Sequence, residues 1–416
     1  MRVFKFGGAS VKDANAVRNV ARVLKKTGCQ ELVVVISAMG KTTNALEKIV
    51  DSYLQNDSDL KERIEYLYQY HLTILKELFE NEQHSIYTKV RDLFSDLSTT
   101  LDRNKSRQYD YIYDQIVCYG ELVSTTIISA YLNENELIND WLDARELIKT
   151  DASYRDAEVD WERTQRIILD KINTNGLTIT QGFIGSDTNN FTTTLGREGS
   201  DYTAGIFAYC LGADSVSIWK DVPGVLNGDP RVFEDTQLLT HVSYSEAIEL
   251  AFYGASVIHP KTIQPLQRKE IPLFVRSFLN PDTPGTSVKK GQPLEPYIPC
   301  FIVKKDQILL SLSSLDFSFI VEENISELFG LFHKHHIKVD LIQNSAISFS
   351  VCLDDKFDQF IGLLPQLKAK FRVSYNTGVS LFTIRHFTEE AIGSLEKNKE
   401  ILLKQITRET YQMVAK

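Results

Sequence analysis

Apolar residues open the chain as a short run at residues 3–6, which Gly7-Gly8 stops. Over residues 14–24 they recur at helical spacing, at Ala14, Val17, Val20, Ala21 and Leu24, until Gly28 ends the pattern. Residues 31–37 then read Glu-Leu-Val-Val-Val-Ile-Ser, the β-branched run expected of a strand covered on both faces. The opening is thus a βαβ unit. From about 43 to 101 the chain turns polar, charged and helix-periodic, and a second helical pattern runs from about 109 to 132 through Gly120-Glu121, which predicts a helical layer. Strand signals return at 177–182 and 216–219, with an apolar helix candidate at 203–211 between them. Alternation of this kind predicts an α/β sheet.

Residues 281–299 hold five of the eleven prolines, a density that resists both helix and sheet ladder, and the domain boundary is expected there. Residues 1–290 form the first expected domain and 291–416 the second. The second has a shorter α+β rhythm: strand at 307–312, helix at 326–335, strands at 339–342 and 347–352, helix at 357–367. A strand at 379–384, a helix from about 389 to 403 and a strand near 410–414 follow. Two small similar units, roughly 300–370 and 371–416, behind a large α/β domain have the look of a regulatory module.

The 416 residues and 43% hydrophobic content are ample for such cores, at roughly 100–200 residues per domain. Forty-six Lys+Arg against fifty-five Asp+Glu give a net charge of −9, so no global basic field draws the chain to nucleic acid or membrane. An anionic ligand needs a local cluster instead. Cys29, Cys118, Cys210, Cys300 and Cys352 are odd in number and form no CxxC pair, which reads as buried thiols in a reducing compartment. With neither an apolar leader nor a membrane-length stretch, the expected location is cytoplasmic. The His333-Lys-His-His336 cluster ends a helical pattern, where such residues suit the dipole, and no metal site is assigned to it.

Four stretches carry candidate chemistry. Lys5-Phe-Gly-Gly-Ala-Ser10 sets a lysine on a strand before two glycines and a helix, a geometry whose amides approach phosphates closely, although a Gly-Gly turn also arises as plain geometry. No GxxxxGK[ST] occurs, so a P-loop is ruled out. Ser37-Ala-Met-Gly-Lys-Thr-Thr-Asn44 follows the buried strand, at the end where α/β sheets bind ligands; it equally suits an N-cap turn using Thr43 or Asn44. Thr192-Thr-Thr-Leu-Gly-Arg-Glu-Gly-Ser-Asp201 adds two glycines, the forked cation Arg197 and the polar pair Ser200-Asp201 before a helix. Trp219-Lys-Asp-Val-Pro-Gly-Val-Leu-Asn-Gly-Asp-Pro-Arg231 is a strand followed by a turn-rich loop with Asp221, Asp229 and Arg231.

Together with Gly120-Glu121 and the stretch Tyr-Gly-Ala-Ser-Val-Ile-His-Pro-Lys-Thr262, these motifs have the order and approximate spacing found in aspartate kinases of the amino-acid kinase superfamily. The resemblance covers about residues 1–290. It implies a three-layer α/β sandwich with a mostly parallel central sheet, followed by a C-terminal α+β, ferredoxin-like module that resembles paired ACT domains. It also implies ATP- and Mg²⁺-dependent phosphorylation of the side-chain carboxylate of L-aspartate, the step that opens lysine, threonine and methionine biosynthesis. No fused dehydrogenase segment follows within the 416 residues, so a monofunctional chain is expected.

By the family pattern Lys5 and the Gly7 and Gly8 amides take the β- and γ-phosphates, with Ser10 beside them, while Asp201 organises Lys5 and its neighbouring cations. Arg197 clamps the aspartate α-carboxylate and Glu121 takes its α-ammonium. Ser37, Thr43, Phe183 and Ser200 line the amino-acid pocket, and Asp221 and Arg231 contact nucleotide. A carboxylate with pKa near 3.9 is already an anion at neutral pH, so the absence of a candidate histidine base is expected. Catalysis reduces to bringing anions together in line and spreading the phosphoryl charge.

Three positions depart from the pattern. Ser256 stands where the family often has a phosphate-binding lysine, for which Lys220 and Lys261 are the candidate replacements; Leu226 stands where a nucleotide-contacting tyrosine is common; Glu198 replaces a frequent glycine and is expected to point to solvent. In the tail, residues 339–345 (Val-Asp-Leu-Ile-Gln-Asn-Ser) are similar to the effector-lining segment, which assigns Asp340, Asn344 and Ser345 to effector binding. Lysine, threonine or no effector remain open, as does a role in pairing a homodimer through edge strands. Two other functions also stay open: a superfamily member acting on glutamate, N-acetylglutamate or UMP, and a catalytically silent amino-acid sensor. The pairing of Arg197 with Glu121 argues against a nucleotide acceptor.

Overall fold

Arg2–Phe6 (β1) is an inner strand of the larger sheet in the computed structural model, which describes residues 1–255, 258–316 and 318–416. A single 3₁₀ turn, Gly8–Val11, leads into α1 (Ala14–Thr27), whose first turn is capped by Asp13 accepting from the Ala16 amide at 2.8 Å. Gly28 ends α1, and β2 (Leu32–Ile36), buried at every residue, pairs parallel to β1. The predicted helical layer consists of α2 (Thr42–Gln55), α3 (Leu60–Leu78), α4 (Ser85–Arg103) and α5 (Tyr109–Glu134). Then follow β3 (Asp140–Leu142), α6 (Ala144–Leu147), α7 (Trp161–Lys171), β4 (Leu177–Gln181), β5 (Ile184–Ser186), β6 (Thr192–Thr194), α8 (Gly199–Leu211) and β7 (Ser215–Lys220). After β8 (Val225–Leu226), β9 (Leu238–Leu239) and β10 (His241–Ser243) come α9 (Tyr244–Tyr253), α10 (Pro260–Arg268), β11 (Leu273–Ser277) and β12 (Thr286–Lys289).

Among the described residues the larger sheet runs β10-β12-β11-β7-β1-β2-β4-β3, parallel except where β11 meets β12. Strand alternation divides its two faces. Phe4, Phe6, Val34 and Ile36 join the core made with α1 to α5, whereas Lys5 faces the other way, towards α8. There α8 packs on β1, β2 and β7 and is itself covered by α7 and α10, which completes a three-layer α/β sandwich. β12 corrects the reading of the proline-dense stretch: the prolines flank it, and residues 286–289 pair with β10 and β11.

The chain divides into two compact units, the first comprising Met1–Val225, Leu238–Ile248 and Val257–Glu295 and the second Leu226–Gln237, Glu249–Ser256 and Pro296–Lys416. The second unit contains β13 (Cys300–Ser314), α11 (Glu322–Lys334), β14 (Lys338–Asn344), β15 (Ser348–Asp354), α12 (Phe360–Lys368), β16 (Phe371–Arg385), α13 (Glu389–Glu396), β17 (Ile401–Ile406) and β18 (Thr410–Ala415). They form an antiparallel sheet in the order β14-β15-β13-β16-β18-β17. The long strands β13 and β16 run through both halves, with α11 and α12 closing one core and α13 another. The expected helix from 389 to 403 stops at Glu396, because Asn398 turns with φ 62° and residues 401–406 join the sheet edge.

Candidate active site

The parallel register aligns the ends of three strands: Phe6 of β1 lies opposite Ile36 of β2 and Trp219 of β7. Their following residues, Gly7, Ser37 and Lys220, therefore emerge at the edge where such sheets bind ligands. Gly8 has a steric role, since a Cβ there would lie 2.8 Å from the Gly40 carbonyl oxygen and 2.9 Å from that of Ala38. The bare backbone lets the β1 turn and the loop after β2 touch, and the Gly40 amide donates to the Gly8 carbonyl at 3.0 Å.

Lys5 Nζ meets Asp201 Oδ1 at 2.6 Å, and Lys220 Nζ meets Oδ2 at 3.5 Å. Asp201 lies in the first turn of α8, where the helix dipole favours an acid, and is 2% exposed. Burial alone raises its pKa; the charges of Lys5 and then Lys220 outweigh that and hold the carboxyl below its ordinary range. One carboxylate thus holds two ammonium groups aimed from neighbouring strands.

On the acceptor side, Glu121 projects from α5 and is 2% exposed, with Oε2 lacking a hydrogen-bond partner. Burial pushes its pKa up to about 8, opposed in part by its own amide and that of Ala38. The contact with Ala38 sets Glu121 against the loop bearing Ser37, which leads to Thr43 in the first turn of α2; both residues are half-buried. Ser124 Oγ fixes the same loop by donating to the Ser37 carbonyl at 2.8 Å. Phe183, at φ 73°, is tied to α8 by its amide donating to Thr203 Oγ1 at 2.9 Å, and Ser200 is buried in the first turn of that helix. Arg197 is exposed just before α8.

The expectation for Glu198 changes. Glu198 does not point to solvent: it caps α8 at φ 53°, is half-buried, and encloses Oε2 without a hydrogen-bond partner. Burial raises its pKa, and Lys220 is the foremost charge opposing that. The left-handed backbone turns the side chain back towards the lysines. Ser10, expected beside nucleotide, is buried, and its hydroxyl donates to the Trp219 carbonyl at 3.4 Å because the 3₁₀ turn points it inward. Asp221 is exposed beside Lys220. Arg231 belongs to the second unit, where Asp229 takes its guanidinium at two points, 2.7 and 3.0 Å. Lys261 stands in the first turn of α10 and pairs with Asp156. Ser256 lies outside the described residues.

In the second unit the Asp340 side chain is 2% exposed, with Oδ1 held by Lys304 at 2.8 Å and Lys338 at 3.1 Å and Oδ2 without a hydrogen-bond partner. Asn344 and Ser345 are exposed, and the Ser345 hydroxyl closes the β14–β15 turn against Ser348 at 2.6 Å.

Two acids escape the motif reading. Asp114 is buried mid-helix in α5 and accepts from the Thr194 amide at 2.8 Å, Thr194 Oγ1 at 2.7 Å and the Arg155 amide at 3.0 Å. An acid on the apolar face of a helix was its available signal. Asp156, the partner of Lys261, lies in an irregular polar loop that offers none.

Residues 1–277 match the profile described as the amino acid kinase family. The lysine-sensitive aspartokinase 3 of Escherichia coli (strain K12) is 33% identical over 393 residues, spanning 92% of this chain and 86% of that protein. The chloroplastic aspartokinase 1 of Arabidopsis thaliana is 32% identical over 368 residues, 85% of this chain and 63% of that protein. Among solved structures, E. coli aspartokinase III in complex with aspartate and ADP matches with a TM-score of 0.84 at 29% identity, over 100% of this chain and 96% of that one. The same enzyme in complex with lysine and aspartate matches at 0.82 and 30% identity, over 100% and 95%. The chain belongs to the amino acid kinase family and, within it, to the aspartokinases.

Proposed function

We infer that this chain is an aspartate kinase, transferring the γ-phosphoryl group of ATP to the side-chain carboxylate of L-aspartate. The bond from the γ-phosphorus to the β,γ-bridging oxygen breaks, a carboxylate oxygen forms the new bond, and 4-phospho-L-aspartate and ADP leave. The observation that carries this reading is the buried Asp201 gripping Lys5 and Lys220 at adjacent strand ends. A carboxylate so committed to two cations is a poor base, and the acceptor needs none, being ionised already. The same fixed cations are what a loose phosphoryl transition state requires.

Lys5, Lys220, Lys261 and the Gly7 and Gly8 amides take the phosphates, and Asp221 serves the rest of the nucleotide. Mg²⁺ would accompany ATP and neutralise phosphate charge; the Asp201 carboxylate, already taken by two lysines, is not reserved for it. Glu121 receives the aspartate ammonium and Arg197 its α-carboxylate, with Ser37, Thr43, Phe183 and Ser200 around them. The second unit serves as an amino-acid sensor of ACT type and pairs two chains into a homodimer through its sheet edges. The enclosed Oδ2 of Asp340 supports an effector with an ammonium group, and the lysine-bound structure of the E. coli relative supports lysine.

The test is ADP release measured with L-aspartate, L-glutamate, N-acetylglutamate and UMP, with and without L-lysine or L-threonine. Turnover with aspartate alone, inhibited by lysine, is expected. Lys5→Met should lower kcat by about 10²-fold or more. Silence with every acceptor would leave the sensor reading standing.

A further inference from the structure

We propose that Asp156 is a positioning residue for phosphoryl transfer: it holds Lys261 beside the site in the unliganded enzyme and yields it to the triphosphate when nucleotide binds. This rests on the kinase reading above and adds a residue and a step to it.

Lys261 occupies the first turn of α10, after the capping residue His259, whose Nδ1 accepts from the Lys261 amide at 3.3 Å. A cation there opposes the positive end of the helix dipole, so the position is favourable only with an anion close by. Asp156 supplies one. The surroundings are those of the catalytic cluster: His259 lies within electrostatic reach of Arg197, Lys261, Asp156 and Asp201.

The two partners differ in freedom. Asp156 is fixed from both sides, as the Arg155 amide donates to Asp114 at 3.0 Å and the Ala157 amide to the Thr194 carbonyl at 2.9 Å. The Arg155 guanidinium is pinned over the Tyr113 ring at 4.3 Å. Asp156 Oδ1 also rests on Gly196, where any Cβ would overlap it, next to the proposed substrate clamp Arg197. Lys261, by contrast, reaches Asp156 with a flexible four-carbon stem. Both side chains are partly exposed, 35% and 67%, so the pair is weak and readily exchanged. A triphosphate carries several negative charges and outcompetes a single carboxylate. The lysine is the moving part and Asp156 the post it leaves.

The experiment is steady-state kinetics on a double-mutant cycle in the full chain. Asp156→Asn keeps the shape and removes the charge, so KM for Mg-ATP should fall about three-fold, the size of a part-exposed ion pair, with KM for aspartate unchanged. Lys261→Met should raise KM for Mg-ATP about ten-fold, and Lys261→Arg should recover most of that loss. In the Lys261→Met background Asp156→Asn should have no further effect. The proposal is overturned if Lys261→Met leaves KM for Mg-ATP unchanged, or if the Asp156→Asn effect persists without Lys261. A loop that were merely structural would lower the melting temperature without this coupling. Lys5→Met separates the two readings: activity surviving that change would sink the kinase site itself, whereas a flat Lys261 series with an inactive Lys5→Met variant would sink only the exchange.

Discussion

Glu121 carries the sharpest consequence at the scale of a single residue. Burial lifts its pKa from 4.5 to about 8, so the unliganded protein holds a proton there that the unfolded chain has released. Between those values the folded state binds more protons, and stability falls as pH rises from about 4.5 through 8. An aspartate ammonium needs the ionised form, so below the folded pKa each unit of acidification should cost about ten-fold in kcat/KM for aspartate. A pH profile from 6 to 9 reads this directly. Glu121→Gln should show a low, flat profile and a melting temperature less sensitive to pH; an unchanged slope in that variant would remove Glu121 from the binding step. The placement of Lys5, Glu121 and Asp201 was legible in the sequence because each sits in a local motif whose strand, turn or helix fixes where the side chain starts. That of Ser10, Glu198 and Asp156 was not. A 3₁₀ turn, a left-handed cap and a contact with a lysine over a hundred residues away decide their orientation, and none of these has a periodic signature.

At the scale of elements, α5 links the helical layer to both proposed substrate loops. Its Asp114 holds β6 and the loop bearing Asp156 by accepting three hydrogen bonds. Asp114→Ala leaves those donors buried without a partner, and we expect a loss on the order of 3 kcal/mol, measurable by urea unfolding. Asp114→Asn, which keeps one acceptor oxygen, should lose less; equal stability of all three proteins would refute the account. The elements themselves were legible wherever hydrophobic period and length agreed, as in β1, α1, β2 and the helices of residues 43–134. The period failed where tertiary pairing overrode local preference. Residues 401–403 continue a helix-like pattern, yet 401–406 form an edge strand against β18, and β12 exists because β10 and β11 offer it partners on both sides. No window of sequence contains those partners.

For the whole molecule, the interleaving of the two units matters more than the proline-rich boundary. The second unit takes in Leu226–Gln237 and Glu249–Ser256 before its main segment starts at Pro296. The early segments are held by that later one: the Phe301 amide donates to the Asn227 carbonyl at 2.6 Å, Asn227 Nδ2 donates to the Pro299 carbonyl at 2.9 Å, and the Phe233 and Phe301 rings lie 5.4 Å apart. Arg385 meets Glu249 at 3.7 Å, and Lys304 Nζ donates to the Phe252 carbonyl at 3.3 Å. The first of these segments carries Arg231, and the second ends at Ser256, three residues before His259. A chain ending at Glu295 therefore keeps every strand of the larger sheet but strips these segments of apolar and hydrogen-bonding partners. We expect it to melt well below the full chain and to lose most aspartate-dependent ADP release, as compared by thermal denaturation and the same ADP-release assay. Full activity in that fragment would mean that Arg231 and the α9 end need no support from the second sheet, and the unit's influence on catalysis would then have to travel by another route.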